Sequence, residues 1–363
     1  MKYTTISKAF KLKSGAGLSA KKMILGDYPV FGGNGINGFH NEYMFDDQKL
    51  VIGRVGAYCG NVHKTESKSW ITDNALYIHE SFEQYDLNYL VQLLKSLNLN
   101  RYASQSGQPL ISAGRLKDVE IPLPPIDQQK KIAAILDAAE AYRQKTKALI
   151  TKYEELTQSL FLDMFGDPVR NPMGWEKETL HSCLQKVEKI GKDYSEVNIE
   201  YVDIGSVDNI RNIITETTTY KIKERPSRAQ QILLSGDIII STVRPNLKNI
   251  ALNQVAGRIG STGFFVCRTN LNKLSNFFLF KVMLTDSVTD YFVGITSGAN
   301  YPAIKSNDLK KFQVIVPPID LQNRFADRVQ AIEKQKAQAQ GSLVQAEDLF
   351  NSLLQKAFKG ELV

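Results

Sequence analysis

Three short stretches of the chain concentrate residue types able to hold a polar ligand. Residues 28–35 read YPVFGGNG. Three glycines within four residues let a backbone approach a ligand closely and adopt left-handed φ. The phosphate-binding pattern GxxxxGK[ST] is absent, and no dinucleotide fingerprint follows a strand here, so the stretch by itself predicts a tight turn around Gly33 and Asn34. Residues 52–64, IGRVGAYCGNVHK, set Arg54, Tyr58, Asn61, His63 and Lys64 among small residues. Residues 241–248, STVRPNLK, present Arg244, Asn246 and Lys248, and GSTG follows at 260–263. Arginine can donate two hydrogen bonds to guanine, asparagine can read adenine, and lysine suits phosphate. A polar hairpin that binds nothing is the competing expectation for each stretch. Cys59 and His63 raise the question of a nucleophile or metal pair, but no further ligand and no orienting acid accompanies them.

The elements that position these stretches are set out by an internal repeat. Residues 116–129 read LKDVEIPLPPIDQQ and residues 309–322 read LKKFQVIVPPIDLQ, an offset of 193 that continues without a gap to the end of the sequence. Upstream, Ser106-Gly107 before Pro109 matches Ser297-Gly298 before Pro302, and the loops GQP and GANYP there are either ligand-contacting turns or helix terminators. A repeat of this size implies two similar units about a pseudo-symmetry axis.

After each Pro-Pro pair a long helix is predicted, with Asp127 and Asp320 as N-caps. In the first, Ile132, Ile135, Ala139, Tyr142, Thr146, Leu149, Tyr153, Leu156 and Leu160 alternate steps of three and four. In the second, Phe325, Val329, Ile332, Lys336, Ala339, Leu343, Ala346, Phe350, Leu353 and Ala357 do the same. That spacing marks a coiled-coil seam, and the economical arrangement pairs the two helices with each other. Gly166 and Gly360 are the expected stops. Each helix is then on the order of 55 Å long at 1.5 Å per residue. Helices are also expected near 88–94 and 276–284, strands at 49–52 and 237–240, and GDPVRNPMG at 166–174 reads as a boundary.

The expected fold is therefore mixed α/β (α+β): two globules, at 1–126 and 168–319, separated by two long helices, at 127–167 and 320–363, paired as an antiparallel coiled coil. Lys+Arg against Asp+Glu runs 14 to 11, 6 to 7, 19 to 14 and 6 to 6 over 1–126, 127–167, 168–319 and 320–363. The basic excess thus sits in the globules, which suits an anionic polymer, while neutral helices suit protein contacts. The overall charge of +7 and 43% hydrophobic content describe an ordinary folded protein. No run approaches the roughly 18 apolar residues of a membrane span, and residues 1–15 lack the apolar core of a signal peptide. With three widely spaced cysteines, a cytoplasmic protein with free thiols is expected.

Two variable segments, each closing in a (L/V)PPIDxQ motif and a long helix, resemble the specificity subunits of type I restriction-modification systems. The GGNG stretch at 32–35, Arg54–His63 and FGDPVRNPMGW at 165–175 add to the likeness, which covers essentially the whole chain. The resemblance implies that each globule reads one half of a split double-stranded DNA target. It implies that the helices dock two modification (methyltransferase) subunits carrying S-adenosylmethionine. Restriction subunits using ATP and Mg would join them, and this chain would hold no cofactor, metal or catalytic residue of its own. By the same analogy, DNA contacts are expected at Gly33, Asn34, Arg54, Asn61 and Lys64, and at Arg244, Asn246 and Lys248. The alternative is a self-contained DNA methyltransferase or nuclease with built-in recognition domains. Against it, NPMG at 171–174 lacks the second proline and the aromatic residue of an adenine-methylating loop, and no P-loop is present.

Overall fold

The structure is a computed structural model that describes residues 2–104, 107–191, 194–296 and 302–362. Of the loops singled out above, Ser106 and residues 297–301 lie outside the described residues. The two longest elements are helices Ile126–Phe165 and Ile319–Lys359, of 40 and 41 residues. Proline has no N–H to leave unpaired and its ring blocks helix before it, so each Pro-Pro pair ends the preceding strand and opens the helix. The Pro125 carbonyl accepts from the Gln128 and Gln129 amides, and the Pro318 carbonyl from those of Leu321 and Gln322. The helices therefore begin earlier than Asp127 and Asp320 would start them as N-caps. Both aspartates lie inside the first turn, where a carboxylate meets the positive end of the helix dipole. Gly166 and Gly360 follow the last helical residues with φ of +72° and +82°, the left-handed conformation that ends a helix.

The last residue of the repeated motif does the joining. Gln129 is 1% exposed and Gln322 is wholly buried. The Gln129 amide nitrogen donates to the carbonyls of Gln84 and Pro124 at 3.2 and 2.8 Å, and its oxygen accepts from the Asp86 amide at 2.8 Å. Gln322 repeats the pattern with the carbonyls of Lys273 and Pro317 at 3.1 and 2.8 Å and the Ser275 amide at 2.8 Å. In each case a glutamine ties the helix start to the residues leading into a shorter helix, Leu87–Ser96 or Asn276–Leu284. The strand before each motif is anchored likewise: Glu120–Pro122 pairs with Tyr3–Thr5, and Gln313–Ile315 with Lys177–Thr179.

The chain forms two compact units, residues 1–149 with 339–363 and residues 150–338, so each long helix contributes to both. The first unit contains an antiparallel sheet ordered Phe10–Ser14, Ala75–Ser81, Leu50–Gly53, Val62–Lys64. The second contains the same arrangement as Leu184–Gln185, Phe264–Thr269, Ile238–Ser241, Ile250–Leu252. Each unit adds a second sheet with one strand pairing antiparallel on one side and parallel on the other. In the first unit that strand is Tyr28–Gly32, between Gly35–His40 and Trp70–Ile71. In the second it is Asn198–Val202, between Thr218–Lys221 and Ile259–Ser261, with Ala229–Ile232 added at the edge.

Within each unit the long-helix segments run antiparallel. In the first, Lys147 pairs with Glu347 at 3.3 Å and the Arg143 guanidinium lies 4.9 Å over the Phe350 ring. In the second, Lys336 pairs with Glu154 at 2.8 Å and Arg328 approaches the Met164 sulfur. The second helix turns inward the stripe its sequence predicts, with Phe325, Val329, Ala339, Ala346, Phe350 and Ala357 buried. The first helix differs in every other position. Ile132 and Thr146 are buried as expected and Leu160 packs against the second core, but Leu136 and Thr157 take the inward places assigned to Ile135 and Leu156. Ile135, Tyr142 and Leu149 of the first unit are 37%, 53% and 43% exposed instead. The reason is packing: Leu136 is required by the first core, and Phe161 and Phe165 pack against Phe278 and Phe325 in the second, mostly edge to face.

Replacing Gln129 by alanine leaves the Asp86 amide and two carbonyls without their partner. At about 1–3 kcal/mol per buried unpaired group with partial relaxation, the first unit should lose about 2–4 kcal/mol. Chemical denaturation of Q129A should lower that unit's transition midpoint, and Q322A should do the same for the second unit.

Candidate nucleic-acid interface

In both units a set of the residues singled out above, Arg54 and Asn61 in the first and Arg244, Asn246 and Lys248 in the second, lies on the connection between the same two strands of the antiparallel sheet. The strand that leads into it is buried on both faces. Leu50 and Ile52 point into one core and Val51 into another; Ile238 and Ile240 are divided from Ile239 in the same way. This alternation follows from the pleat, and it fixes where the loop after each strand emerges.

In the first unit the loop 54–61 folds back on the strand end: the Gly60 amide donates to the Gly53 carbonyl at 2.8 Å, and the Gly53 amide to the Asn61 carbonyl at 2.7 Å. A Cβ on Gly53 would lie 2.3 Å from the Tyr58 carbonyl oxygen and 2.5 Å from that of Gly33, so only glycine fits. The same contact seats the Gly33-Asn34 turn, which links strands Tyr28–Gly32 and Gly35–His40 with only two residues between them, against the Arg54 loop. Gly33, Asn34 and Arg54 are thus brought together. Asn34 and Asn61 are exposed, whereas Arg54 is half-buried and donates to the Ser14 hydroxyl and the Asp73 carbonyl. Lys64 is exposed and donates to the Asn88 side-chain oxygen at 2.8 Å.

Beside Lys64 a cleft of about 650 Å³ is lined by Gly35, His63, Lys64, Asn88, Gln92, Lys95 and, from the long helix, Asp137 and Glu140. Asp137 accepts from Asn88 and Gln92 at 2.9 and 3.2 Å. Burial, reinforced by the Lys95 charge, pulls the His63 imidazole below its ordinary value of 6.5, so it is neutral at pH 7.

In the second unit the connection 242–249 carries Arg244 and Lys248 in the left-handed region, φ 52° and 49°. Arg244 and Asn246 are exposed. The Lys248 ammonium is engaged by the Leu284 carbonyl at 3.0 Å and Asp286 at 2.6 Å. At the other end of the strand that leads into this loop, Arg268 forms a two-pronged pair with Asp237 at 3.0 and 2.8 Å and donates to the Ile232 carbonyl at 2.9 Å. Asp237, with its side chain 2% exposed, also accepts from the Leu234 amide, fixing the turn before strand Ile238–Ser241.

One element of the second unit carries none of these motifs. The second unit has no GGNG turn; in its place, between strands Asn198–Val202 and Thr218–Lys221, residues 203–217 raise a small hairpin, Val207–Asp208 against Ile213–Ile214. Its signal was a DNIRN stretch at 208–212, turn-forming residues around an isoleucine that is 90% exposed.

The three cysteines are buried and free. Burial raises the Cys59 thiol above its ordinary value, and its sulfur donates to the Arg54 carbonyl at 3.2 Å, so it clasps the loop and is not activated as a thiolate. Among the described residues no group of three or more His, Cys, Asp or Glu could hold a metal ion, and no helix is long and apolar enough to cross a membrane.

Against known proteins, the sequence model of the type I restriction modification DNA specificity domain matches residues 5–157. The EcoprrI specificity subunit of Escherichia coli is 36% identical over 141 residues, covering 38% of this chain and 35% of that subunit. The EcoDI specificity subunit, also of Escherichia coli, is 23% identical across 93% of this chain and 83% of its own length. Residues 5–157 thus match a type I restriction modification DNA specificity domain. The fold agrees with that of the S subunit of a type I system from M. genitalium, with a TM-score of 0.64 at 18% identity over 98% of this chain and 96% of that one. The match to the EcoprrI subunit spans about a third of that protein; the one to EcoDI and the fold likeness extend across both repeats of this chain.

His63 gives the first unit a pH dependence with a defined sign. Unfolded, it titrates near 6.5; folded, it titrates lower. Between these values the unfolded state binds more protons, so stability falls as pH drops below 6.5 and the loss ends once the folded imidazole is protonated. Denaturation at pH 7.5 and 5.5 should show a smaller difference for H63Q than for the parent chain. In the second unit, R268A strands a buried carboxylate and should cost about 3–5 kcal/mol. The double variant D237N/R268M should recover part of that loss in the same denaturation measurement.

Proposed function

We propose that this chain is the DNA sequence-recognition subunit of a type I restriction-modification complex, directing partner enzymes without a catalytic centre of its own. The observation that carries this reading is the pairing of a repeated frame with unlike loops. Both units place a connection after the same buried strand, and both join the long helix to the short helix beside that sheet by the same glutamine. What the two connections and their neighbours present differs: Arg54 and Asn61, with Asn34 on the adjoining turn and Lys64 on the next strand, in one unit, and Arg244, Asn246 and Lys248 in the other. A common frame with different exposed donors is what two readers of unlike half-sites need.

In this reading residues 1–126 and 168–319 each address one half of a double-stranded target, and 127–167 and 320–363 are the spacer helices. Asn34, Asn61, Arg244 and Asn246 are exposed and reach base edges, Lys64 meets phosphate, and Gly33 allows close approach of the backbone. Arg54 and Lys248 shape their loops while remaining next to the DNA. The outward stripe of Ile135, Tyr142 and Leu149, at seven-residue spacing on the first helix, offers an apolar surface for a modification subunit. Two such subunits would supply S-adenosylmethionine and methyl transfer, and restriction subunits would supply ATP- and Mg-dependent cleavage, all in the cytoplasm.

The purified chain alone should neither methylate nor cleave DNA, and should direct methylation of a split motif once its modification subunits are added. Exchanging residues 1–126 for the first domain of another family member should change one half of the motif mapped from methylated adenines. Methylation by the isolated chain, or a change in both halves, would contradict the proposal.

A further inference from the structure

The second unit carries a surface that none of the sequence motifs marks. Hairpin 207–214 occupies the place that the Gly33-Asn34 turn takes in the first unit, between the strand that pairs both ways and its antiparallel neighbour. As that turn lies against the Arg54 loop, the hairpin lies against the Arg244–Lys248 loop. It is fastened there by side chains to backbone: Asn209 donates to the Leu247 carbonyl at 2.9 Å, and Asn212 to those of Lys248 and Ile250 at 2.9 and 3.2 Å. The apex itself is closed by Asp208, whose carboxylate accepts from the Ile210 and Arg211 amides at 2.9 Å each and is held below the usual aspartate range by those bonds.

Two features separate this from an ordinary solvated turn. First, the tethers consume the polar residues and leave Ile210 90% exposed beside Arg211, whose side chain is 70% exposed. The tethers thus hold an aliphatic side chain and a cation side by side at the tip of a fastened hairpin. Second, Asn212, Arg244 and Lys248, three of the six non-glycine residues with left-handed φ among the described residues, meet in this one spot. Arg244 holds φ 52° and ψ 64° although Pro245 follows it, and proline pushes its predecessor toward extended backbone. Backbone held off its preferred regions by its surroundings gathers at binding sites.

We infer that the 208–212 apex is a base-reading element of the second recognition domain, with Ile210 packing against an apolar base edge such as a thymine methyl and Arg211 donating to the neighbouring base. An aliphatic tip beside a forked cation fits the major groove, which displays methyl groups and paired acceptors side by side. Asn209, Asn212 and Lys248 are positioning residues in this scheme. The inference rests on the proposed function and assigns it residues that the loop motifs do not include.

The test uses the full complex of this chain with its modification subunits, comparing parent, I210S and R211S by mapped methylation motif and by methylation rate on the cognate site and its single-base variants. Ile210 points into water and Arg211 makes only an exposed ion pair with Asp208 at 3.9 Å, a weak contact in water, so each variant should unfold close to the parent's temperature. Discrimination at one or two adjacent base pairs of the second half-site should fall by about tenfold, with the first half unchanged. Unchanged motif and rates in both variants, with a parent that methylates a split site, would overturn the inference alone. A parent complex that methylates no specific site would overturn the proposed function beneath it. As a check on positioning, N212A should lower discrimination at the same base pairs while Arg211 is still present, and unaltered discrimination there would contradict the fastening of the apex.

Discussion

A buried glutamine amide, used twice, is the interaction on which the rest of this structure depends. Each long helix leaves its globule at a proline pair, where the chain has no regular hydrogen bonds to hold its direction. Gln129 and Gln322 fill that gap with two donors and one acceptor, all matched to main-chain groups. An amide is the right group for the task. A carboxylate would lack the donors and carry a buried charge, and an aliphatic residue would leave three polar groups dry. Once the helix start is fixed, the short helix beside it and the sheet under that helix are fixed as well, and so is the exit of the loop after the central strand.

The repeat also shows which parts of a unit are constant and which are free. Strand order and the parallel-antiparallel trio are the same in both units, while the connections differ in length and chemistry. A two-residue turn in one unit is a hairpin in the other, and an arginine tied to Ser14 in one loop has as its counterpart a lysine tied to Asp286. Difference is tolerated where the backbone already faces water and can satisfy itself locally. It is excluded at Gly53, where two carbonyls stand within contact of the missing side chain.

Much of this was legible in the sequence because it is written in local signals. Prolines and glycines mark the helix ends, the heptad steps mark the second seam, and duplicated motifs mark two units. The first seam was misread for a definite reason: steps of three and four fit two registers, and choosing the more apolar residues put Ile135, Tyr142 and Leu149 inside. The competing set includes Arg143, which a hydrophobicity rule rejects, yet its guanidinium covers Phe350 and its charge meets Glu140. The glutamine's role was hidden because its partners at Gln84 and Asp86 lie more than forty residues away. The apex at 208–212 was hidden because a lone exposed isoleucine has no periodicity, and only the fold shows that it stands where the other unit keeps its GGNG turn.

The outward stripe on the first helix has a consequence for the life of the chain before assembly. Apolar side chains seven residues apart on a helix are a ready surface for self-association while no partner covers them. Under the proposed function, a cell that makes this chain in excess of its modification subunits would accumulate a species prone to aggregation and degradation. The supply of partner, and not of this chain, would then set how many complete complexes form. The packing choice that turned Leu136 inward and Ile135 outward therefore bears on dosage: it makes an unaccompanied copy costly to keep.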